Sequence, residues 1–167
     1  TVAVSGAAMT VQRSEAMEIL TQAVNSTGKP DLVAVMGDEP ELMFQRAIAE
    51  LGGMKQFVKS GQKVVVKPNI GWDKVPELAG NTNPKLVAEI VKQCFAAGAK
   101  EVTVFDHTCD DWQKCYKNSG IESAAKAAGA KVMPAHLESY YRSVDLPKGK
   151  NMKKAKIHEA IPNCDVW

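Results

Sequence analysis

The chain has 167 residues, which is enough for one well-buried core and short for two. Apolar residues make up 45% and charged residues 24%, as in an ordinary globular protein in water, and the formal net charge is +2. This charge is too small to favour a nucleic acid or an anionic membrane as partner, and no apolar run approaches the roughly 20 residues of a membrane span. We therefore expect neither nucleic-acid binding nor a membrane span. Composition does not fix the oligomeric state.

Residues 1–9 resemble the end of an export signal, because they are small, apolar and uncharged and precede a polar stretch that begins at Thr10. On this interpretation they are a signal remnant, and the protein is exported to the periplasm. The alternative is the terminus of a cytosolic protein. Residues 10–30 are predicted to form a leading helix and a linker, and residues 31–167 an α/β domain.

Short apolar runs alternate with amphipathic segments over this domain, which predicts βαβ units and a mostly parallel sheet. The predicted strands cover 32–36, 63–67, 101–105 and 131–133, and the first of them is a continuous apolar run, typical of a strand buried on both faces. The helices between them begin at capping residues and end at glycines, over 38–51, 83–98 and 110–128. The predicted fold is a Rossmann-like α/β fold, in which helices flank the sheet in three layers.

Beyond Pro134 the apolar pattern weakens. We expect an irregular strand over 140–146, a helical turn or loop over 153–160, and the first residues of a fifth strand at 164–167. Five lysines in this part form a basic run without interleaved aromatic residues: Lys148, Lys150, Lys153, Lys154 and Lys156. Such a run indicates either a solvated face or a patch for an anion or a partner.

The four cysteines could form disulfides in an exported protein. Cys94 lies on an apolar helix face and is predicted to be in the core. Cys109 with Cys115 is the candidate pair, but six helical residues rise about 9 Å, and a disulfide allows only roughly 4.4–6.8 Å between Cα atoms. Only a helix that begins late, near Asp111, would let this pair close.

Ligands of a parallel sheet bind outside the carboxyl ends of the strands, so the loop after the second predicted strand is a candidate site. This loop continues to the helix cap at Asn83 and is longer than the usual two to six residues, which is typical of functional loops. The ligand-binding residues predicted here are Lys67, Asn69, Trp72 and Asp73. Lys67 either binds an anion or extends its ammonium into solvent, and Asn69 either binds the same anion or bonds its own backbone in a turn.

The loop after the third predicted strand carries the densest set of reactive side chains. Asp106 and His107 are predicted catalytic residues, since a carboxylate and an imidazole can transfer protons. Thr108 is a predicted ligand-binding residue, unless Thr108 or Asp110 is only the helix cap. A metal site is the alternative, with four donor side chains within five positions: Asp106, His107, Cys109 and Asp110. Their spacing matches no established zinc loop.

Nucleotide-binding motifs are absent from the sequence. No G-x-G-x-x-G follows a predicted strand, and there is no G-x-x-x-x-G-K-[ST]. The first predicted helix instead opens with Asp38, Glu39 and Glu41, whose carboxylates would repel a pyrophosphate at that helix end. We therefore do not expect a dinucleotide-dependent dehydrogenase.

Several short motifs resemble the domain-of-unknown-function 362 family. They are Leu51-Gly-Gly53, Phe57-Val-Lys-x-Gly61, Val64-Val-Val-Lys-Pro-Asn69, Thr82-Asn-Pro84 and Ala97-Gly-Ala-Lys-Glu-Val102. The resemblance runs from about Asp31 to the C-terminus and implies an α/β fold. Members of this family often occur with ferredoxin-type cysteine motifs or behind a twin-arginine export signal, which agrees with the predicted export.

The chain departs from the family pattern in two ways. It has no C-x-x-C-x-x-C run, and it stops at Trp167 where family members continue into a second half, so the resemblance implies a fragment with an incomplete fold. We expect either an enzyme domain that binds a small anion or a metal at the two loops, or a non-catalytic redox partner or binding module. In the second case, a metal or an iron–sulfur cluster would come from the missing segment or from another subunit.

Overall fold

The computed structural model describes residues 30–37 and 39–167. The α-helices of this part are α1 (Pro40–Glu50), α2 (Pro84–Ala96), α3 (Trp112–Asn118) and α4 (Ile121–Ala127). The strands are β1 (Lys63–Val66), β2 (Glu101–Val104), β3 (Lys131–Val132), β4 (Tyr141–Asp145) and β5 (Lys154–His158). None of the helices described here is long and apolar enough to cross a membrane. The predicted signal remnant at 1–9 and almost all of the segment 10–30 lie outside the described residues, so export stays a prediction.

Strands β1, β2 and β3 form a parallel sheet in that order, which confirms the predicted α/β fold. In this sheet Val64 pairs with Val102, and Val104 pairs with Val132. Parallel neighbours need a crossover connection, which α2 provides between β1 and β2, and α3 with α4 between β2 and β3. The carboxyl ends of β1 and β2 therefore lie side by side at one edge of the sheet.

The main core joins the sheet to the crossover helices. Val64, Val102 and Val104 are almost fully buried, and they belong to one cluster with Val87 and Val91 of α2. Burial of a side chain of this size contributes roughly 1.5–3 kcal/mol, so these contacts hold the two central strands firmly in place. The loops that leave β1 and β2 consequently start from fixed points.

The first predicted strand is wrong. Residues 32–36 pair with no strand in the described part of the chain, and Leu32 is 85% and Met36 98% exposed. Helix α1 does follow, but it begins at Pro40 with Glu39 as its N-cap and without a side-chain capping bond. The predicted cap Asp38 lies outside the described residues. An apolar run leaves its backbone groups unpaired when no neighbouring strand is available, and this run accordingly forms no strand.

The single helix predicted over 110–128 is instead two helices. Gly120 separates α3 from α4 and has a φ of 72°, a left-handed conformation that a residue with a Cβ adopts only at a cost. Each of the two short helices buries its own residues, Cys115 and Tyr116 in α3 and Ile121 and Ala125 in α4. The helical pattern of the sequence continues across the turn at Gly120 and therefore does not indicate it.

The last part of the domain is an antiparallel hairpin rather than the predicted mixture of strand and helical turn. Strand β4 confirms the strand expected over 140–146, whereas the helical turn or loop expected over 153–160 is wrong, because β5 occupies it and pairs with β4. The predicted start of a fifth strand is present as a parallel bridge between Val166 and Val64. Val166 thus lies on the side of β1 opposite β2.

All four cysteines are free thiols. Cys94 is buried, as predicted, and burial raises its pKa to about 11. Helix α3 begins late, after the N-cap Asp111, as the Cys109–Cys115 disulfide would require. The two thiols are nevertheless unbonded, and the Cys115 thiol instead points to the Gly71 carbonyl at 3.6 Å.

Candidate functional site

The adjacent ends of β1 and β2 bring Lys67 and Asp106 together. Lys67 directly follows β1, and Asp106 lies two residues beyond the end of β2. Lys67 Nζ is 2.5 Å from Asp106 Oδ1, a charge-assisted contact. The Lys67 side chain is 52% exposed, whereas that of Asp106 is only 6% exposed. A nearly buried carboxylate therefore holds a half-exposed ammonium at the edge of the sheet.

The position of Asp106 is fixed on every side. Its second oxygen, Oδ2, accepts a hydrogen bond from the Ile70 backbone N–H at 2.7 Å. Its own backbone N–H donates to the Tyr116 hydroxyl at 2.8 Å, and this hydroxyl lies 2.8 Å from the Asp106 carbonyl and 3.0 Å from that of Met133. Burial raises the pKa of Tyr116 to about 12, so the hydroxyl keeps the proton that it donates to one of these carbonyls.

The loop after β1 is braced by its own asparagines. Asn69 Oδ1 accepts from the Gly71 N–H at 3.0 Å, its Nδ2 donates to the Gly80 carbonyl, and its backbone N–H donates to Thr82 Oγ1. Asn81 closes the same loop further along, where its Oδ1 accepts from the Trp72 N–H at 3.0 Å. Asn69 therefore bonds its own turn, which was one of the two interpretations of this residue.

The loops after β1 and β2 are bonded to each other. The Gly71 carbonyl accepts from the N–H groups of Cys109 and Asp110, and Asp110 Oδ2 accepts from the Asp73 N–H at 3.0 Å. The Asp73 carboxylate in turn accepts from the Asn118 amide. The two loops therefore form one unit.

Thr108 and Trp72 differ in how far they remain available to a ligand. Thr108 is buried and its hydroxyl donates to the Asp110 carbonyl at 2.9 Å, while the cap of α3 is Asp111, so neither Thr108 nor Asp110 is the helix cap. The Trp72 side chain, by contrast, is 45% exposed. Of the ligand-binding residues predicted in these loops, Lys67, Asn69 and Trp72 are exposed, and Asn69 is engaged in the bonds of its own turn.

His107 faces a separate concavity next to the ion pair. Its ring centroid lies 6.2 Å from that of Tyr141, and both residues line a cleft of about 520 Å³. Small-molecule sites have volumes of roughly 300–1,000 Å³, so the cleft could hold a small ligand. We refer to it as the histidine cleft; it is lined by His107, His136, Leu137, Glu138, Tyr141 and Lys156.

Most residues of the histidine cleft were not predicted as site residues. His136, Tyr141 and Lys156 come from three segments in the weakly patterned part of the chain, and only the histidines and the basic run marked that part in the sequence. His158, by contrast, is a core residue. Its Nδ1 accepts from the Ala160 N–H, so its Nε2–H donates to the Pro134 carbonyl at 3.1 Å.

The predicted metal ligands are not gathered into one cluster. Within residues 30–37 and 39–167, no three His, Cys, Asp or Glu side chains group closely enough to hold a metal ion. Asp106 is paired with Lys67, Asp110 bonds the Asp73 backbone, and His107 lines the histidine cleft. The metal site stays a prediction.

Most of the chain matches a known protein family. A family model described as "Domain of unknown function (DUF362)" matches residues 64–167, which is more than half of the chain. This range begins inside β1 and includes both loops and the histidine cleft. No curated protein and no solved structure matches the chain.

Proposed function

The chain belongs to the DUF362 family, a domain of unknown function, and on that premise we propose that its sheet edge binds a small anion within an enzyme active site. The Lys67–Asp106 pair carries this proposal. It places a half-exposed ammonium at the carboxyl end of β1, where parallel sheets bind their ligands.

Lys67 is the residue that contacts the anion. An ammonium has three N–H donors, and one contact with Asp106 leaves two of them for other acceptors. Because half of the side chain is exposed, an anion can reach these donors by displacing water and without displacing Asp106. The neighbouring carboxylate offsets much of the positive charge, so we expect modest affinity for a bare inorganic anion.

Asp106 acts as a positioning residue. Only 6% of its side chain is exposed, and its oxygens already accept from Lys67 and from the Ile70 N–H, so a substrate has little direct access to the carboxylate. A carboxylate fixed in this way holds the ammonium in one place before the ligand arrives, which lowers the entropic cost of binding.

His107 is the acid–base group of the proposed site. It directly follows Asp106, it is exposed, and its ring lines the histidine cleft. Imidazole is the side chain most often used for proton transfer near neutral pH. Asn69, Asp73 and Thr108 keep the two loops rigid through their bonds, and the exposed Trp72 ring borders them.

The proposal is tested by titration with inorganic phosphate and with acetate at constant ionic strength, followed in two-dimensional amide NMR spectra. We expect saturable shifts in the loops 67–73 and 106–110 of the native chain. Lys67→Gln should weaken phosphate binding at least about tenfold, because the charged donors are lost.

Lys63→Gln is the matched control, since Lys63 is an exposed lysine at the opposite end of the same strand. It removes the same charge from β1 and should leave phosphate binding unchanged. Equal weakening by both variants would mean that only net charge matters, and the proposed anion site would then be rejected. If the amide resonances of both loops do not shift at high phosphate concentration, the proposed anion site is rejected too.

A further inference from the structure

Two rows of aromatic rings end in the histidine cleft. In the first row, Phe105 stacks on His158 at 3.9 Å between ring centroids, and Tyr141 meets His158 edge-on at 5.6 Å. Tyr141 itself borders the cleft beside His107. In the second row, His136 stacks on Trp112 at 4.5 Å with 7° between the ring planes. The cleft is therefore lined by three rings, those of His107, His136 and Tyr141, which come from separate segments of the chain.

These rings are held rigidly. The Tyr141 hydroxyl donates to the Ala135 carbonyl at 2.9 Å, and the His158 ring beneath it is bonded at both nitrogens. Phe105 and His158 are almost fully buried. A cleft whose walls are already ordered loses little side-chain entropy when a ligand enters, which favours binding of a flat, complementary group.

We propose that the histidine cleft binds the planar ring of an aromatic or heteroaromatic anion whose charged group contacts Lys67. The anionic end of this ligand rests on the proposed function. The planar ring is inferred from the aromatic residues that line the cleft.

Ring and anion sites are adjacent through Asp106. This carboxylate pairs with Lys67 on one side. The next residue along the chain, His107, lines the histidine cleft, and its ring centroid is 6.2 Å from that of Tyr141. Burial, and secondly the charge of Asp106, also raise the pKa of the Tyr141 phenol. One ligand can therefore place its ring beside Tyr141 and its charge at Lys67.

The polar groups of the cleft fit a ring better than a second charge. Lys156 is paired with Glu138, so these two residues largely cancel each other's charge. His136 Nδ1 is covered and has no hydrogen-bond partner among the described residues, and one face of its ring is stacked on Trp112, so this nitrogen offers no polar contact to a ligand. Leu137 adds an apolar surface that is half exposed.

The test compares three probes by the same NMR titration: benzoate, cyclohexanecarboxylate and benzamide. Benzoate and cyclohexanecarboxylate share the carboxylate and differ in the planar ring, whereas benzamide keeps the ring without the charge. We expect benzoate to shift residue 107 and residues 136–141 and to bind about tenfold more tightly than cyclohexanecarboxylate, the range of one aromatic contact.

Tyr141→Leu should abolish the preference for benzoate, and Tyr141→Phe, which keeps the ring, should retain it. His107→Ala is a second variant at an exposed position, should Tyr141→Leu fail to fold, and it should reduce the preference. Equal affinities for benzoate and cyclohexanecarboxylate, or shifts confined to the loop 67–73, would overturn the ring site while the anion site stands. Benzamide binding as tightly as benzoate would overturn the anionic ligand and the proposed function, and would leave a site for neutral rings.

Discussion

Two segments of the chain have nearly the same apolar pattern and different structures. Residues 32–36 and 63–67 are both short runs that contain several valines, and the sequence predicts a strand for each. Residues 63–66 form β1, in which Val64 and Val65 are each 5% exposed. Residues 32–36 form no strand, and Leu32 and Met36 are among the most exposed apolar residues of the described chain.

The difference shows that an apolar run becomes a strand only where partners satisfy its backbone. β1 has β2 on one side and Val166 on the other, and the Val65 N–H donates to the Val166 carbonyl at 2.9 Å. The segment 32–36 has no such neighbour in the part of the chain that the structure describes. The candidate site lies at the end of the paired strand, where the loop after β1 is braced and is bonded to the loop after β2.

The largest effect should come from a charge placed in β1. Val64→Asp should lower the free energy of unfolding by about 4 kcal/mol or more, because it buries an unpaired carboxylate in the main core. Urea denaturation followed by circular dichroism measures this loss. A loss below about 1 kcal/mol would mean that β1 is not a buried strand with partners on both sides.

A smaller effect should come from the tyrosine that connects the core to the site. Tyr116→Phe removes the partner of the buried Asp106 N–H and should cost roughly 1–3 kcal/mol at pH 7. Tyrosine ionises near pH 10 when unfolded, and burial raises the pKa of Tyr116 in the folded protein to about 12. The stabilisation linked to its proton is therefore complete below pH 10 and is lost as the pH rises from 10 to 12.

The stability difference between the native chain and Tyr116→Phe should accordingly narrow over that pH window. Denaturation curves of both proteins at pH 8 and pH 11 provide the measurement. A difference that stays constant or widens at high pH would show that the Tyr116 hydroxyl is not protected by burial.

The smallest effect should come from the same kind of charge in the unpaired segment. Leu32→Asp should change the free energy of unfolding by less than about 0.5 kcal/mol, since the side chain is already exposed. Urea denaturation of Leu32→Asp and of Val64→Asp under the same conditions measures both changes in the free energy of unfolding. A loss of several kcal/mol from Leu32→Asp would reveal that the segment is covered in solution and would make the two segments alike.

Local signals in the sequence predicted much of the fold. Helix α2 begins as expected, with the Asn83 side chain accepting from the Lys85 N–H and Pro84 at the first position. The segments of β1 and β2 form strands as expected, so the loops after them could be placed at one edge. Strand β5 carried a usable signal that was missed, because exposed lysines alternate with the half-buried Ala155 and Ile157.

The contacts within the site could not be predicted in the same way. Lys67 and Asp106 are 39 positions apart in the sequence, and their contact depends on the register between β1 and β2, which single-sequence patterns do not contain. The sequence predicts that Tyr116 lies within one long helix, whereas α3 ends at Asn118 and Gly120 separates it from α4. The rings of the histidine cleft come from a loop, from the segment after β3 and from the hairpin. In none of these segments do the apolar residues recur at a clear helical or strand spacing.

The bridge between Val166 and Val64 has a consequence for where a ligand crevice opens. The chain builds the sheet outward from β1 through β2 to β3 and then returns to the opposite side of β1. The direction of winding therefore reverses at β1, and open parallel sheets place their crevice outside the carboxyl ends of the strands at such a topological switch point. Lys67 is the first residue beyond β1 at this switch point, so the connectivity of the sheet selects the same residue as the chemistry of its side chain.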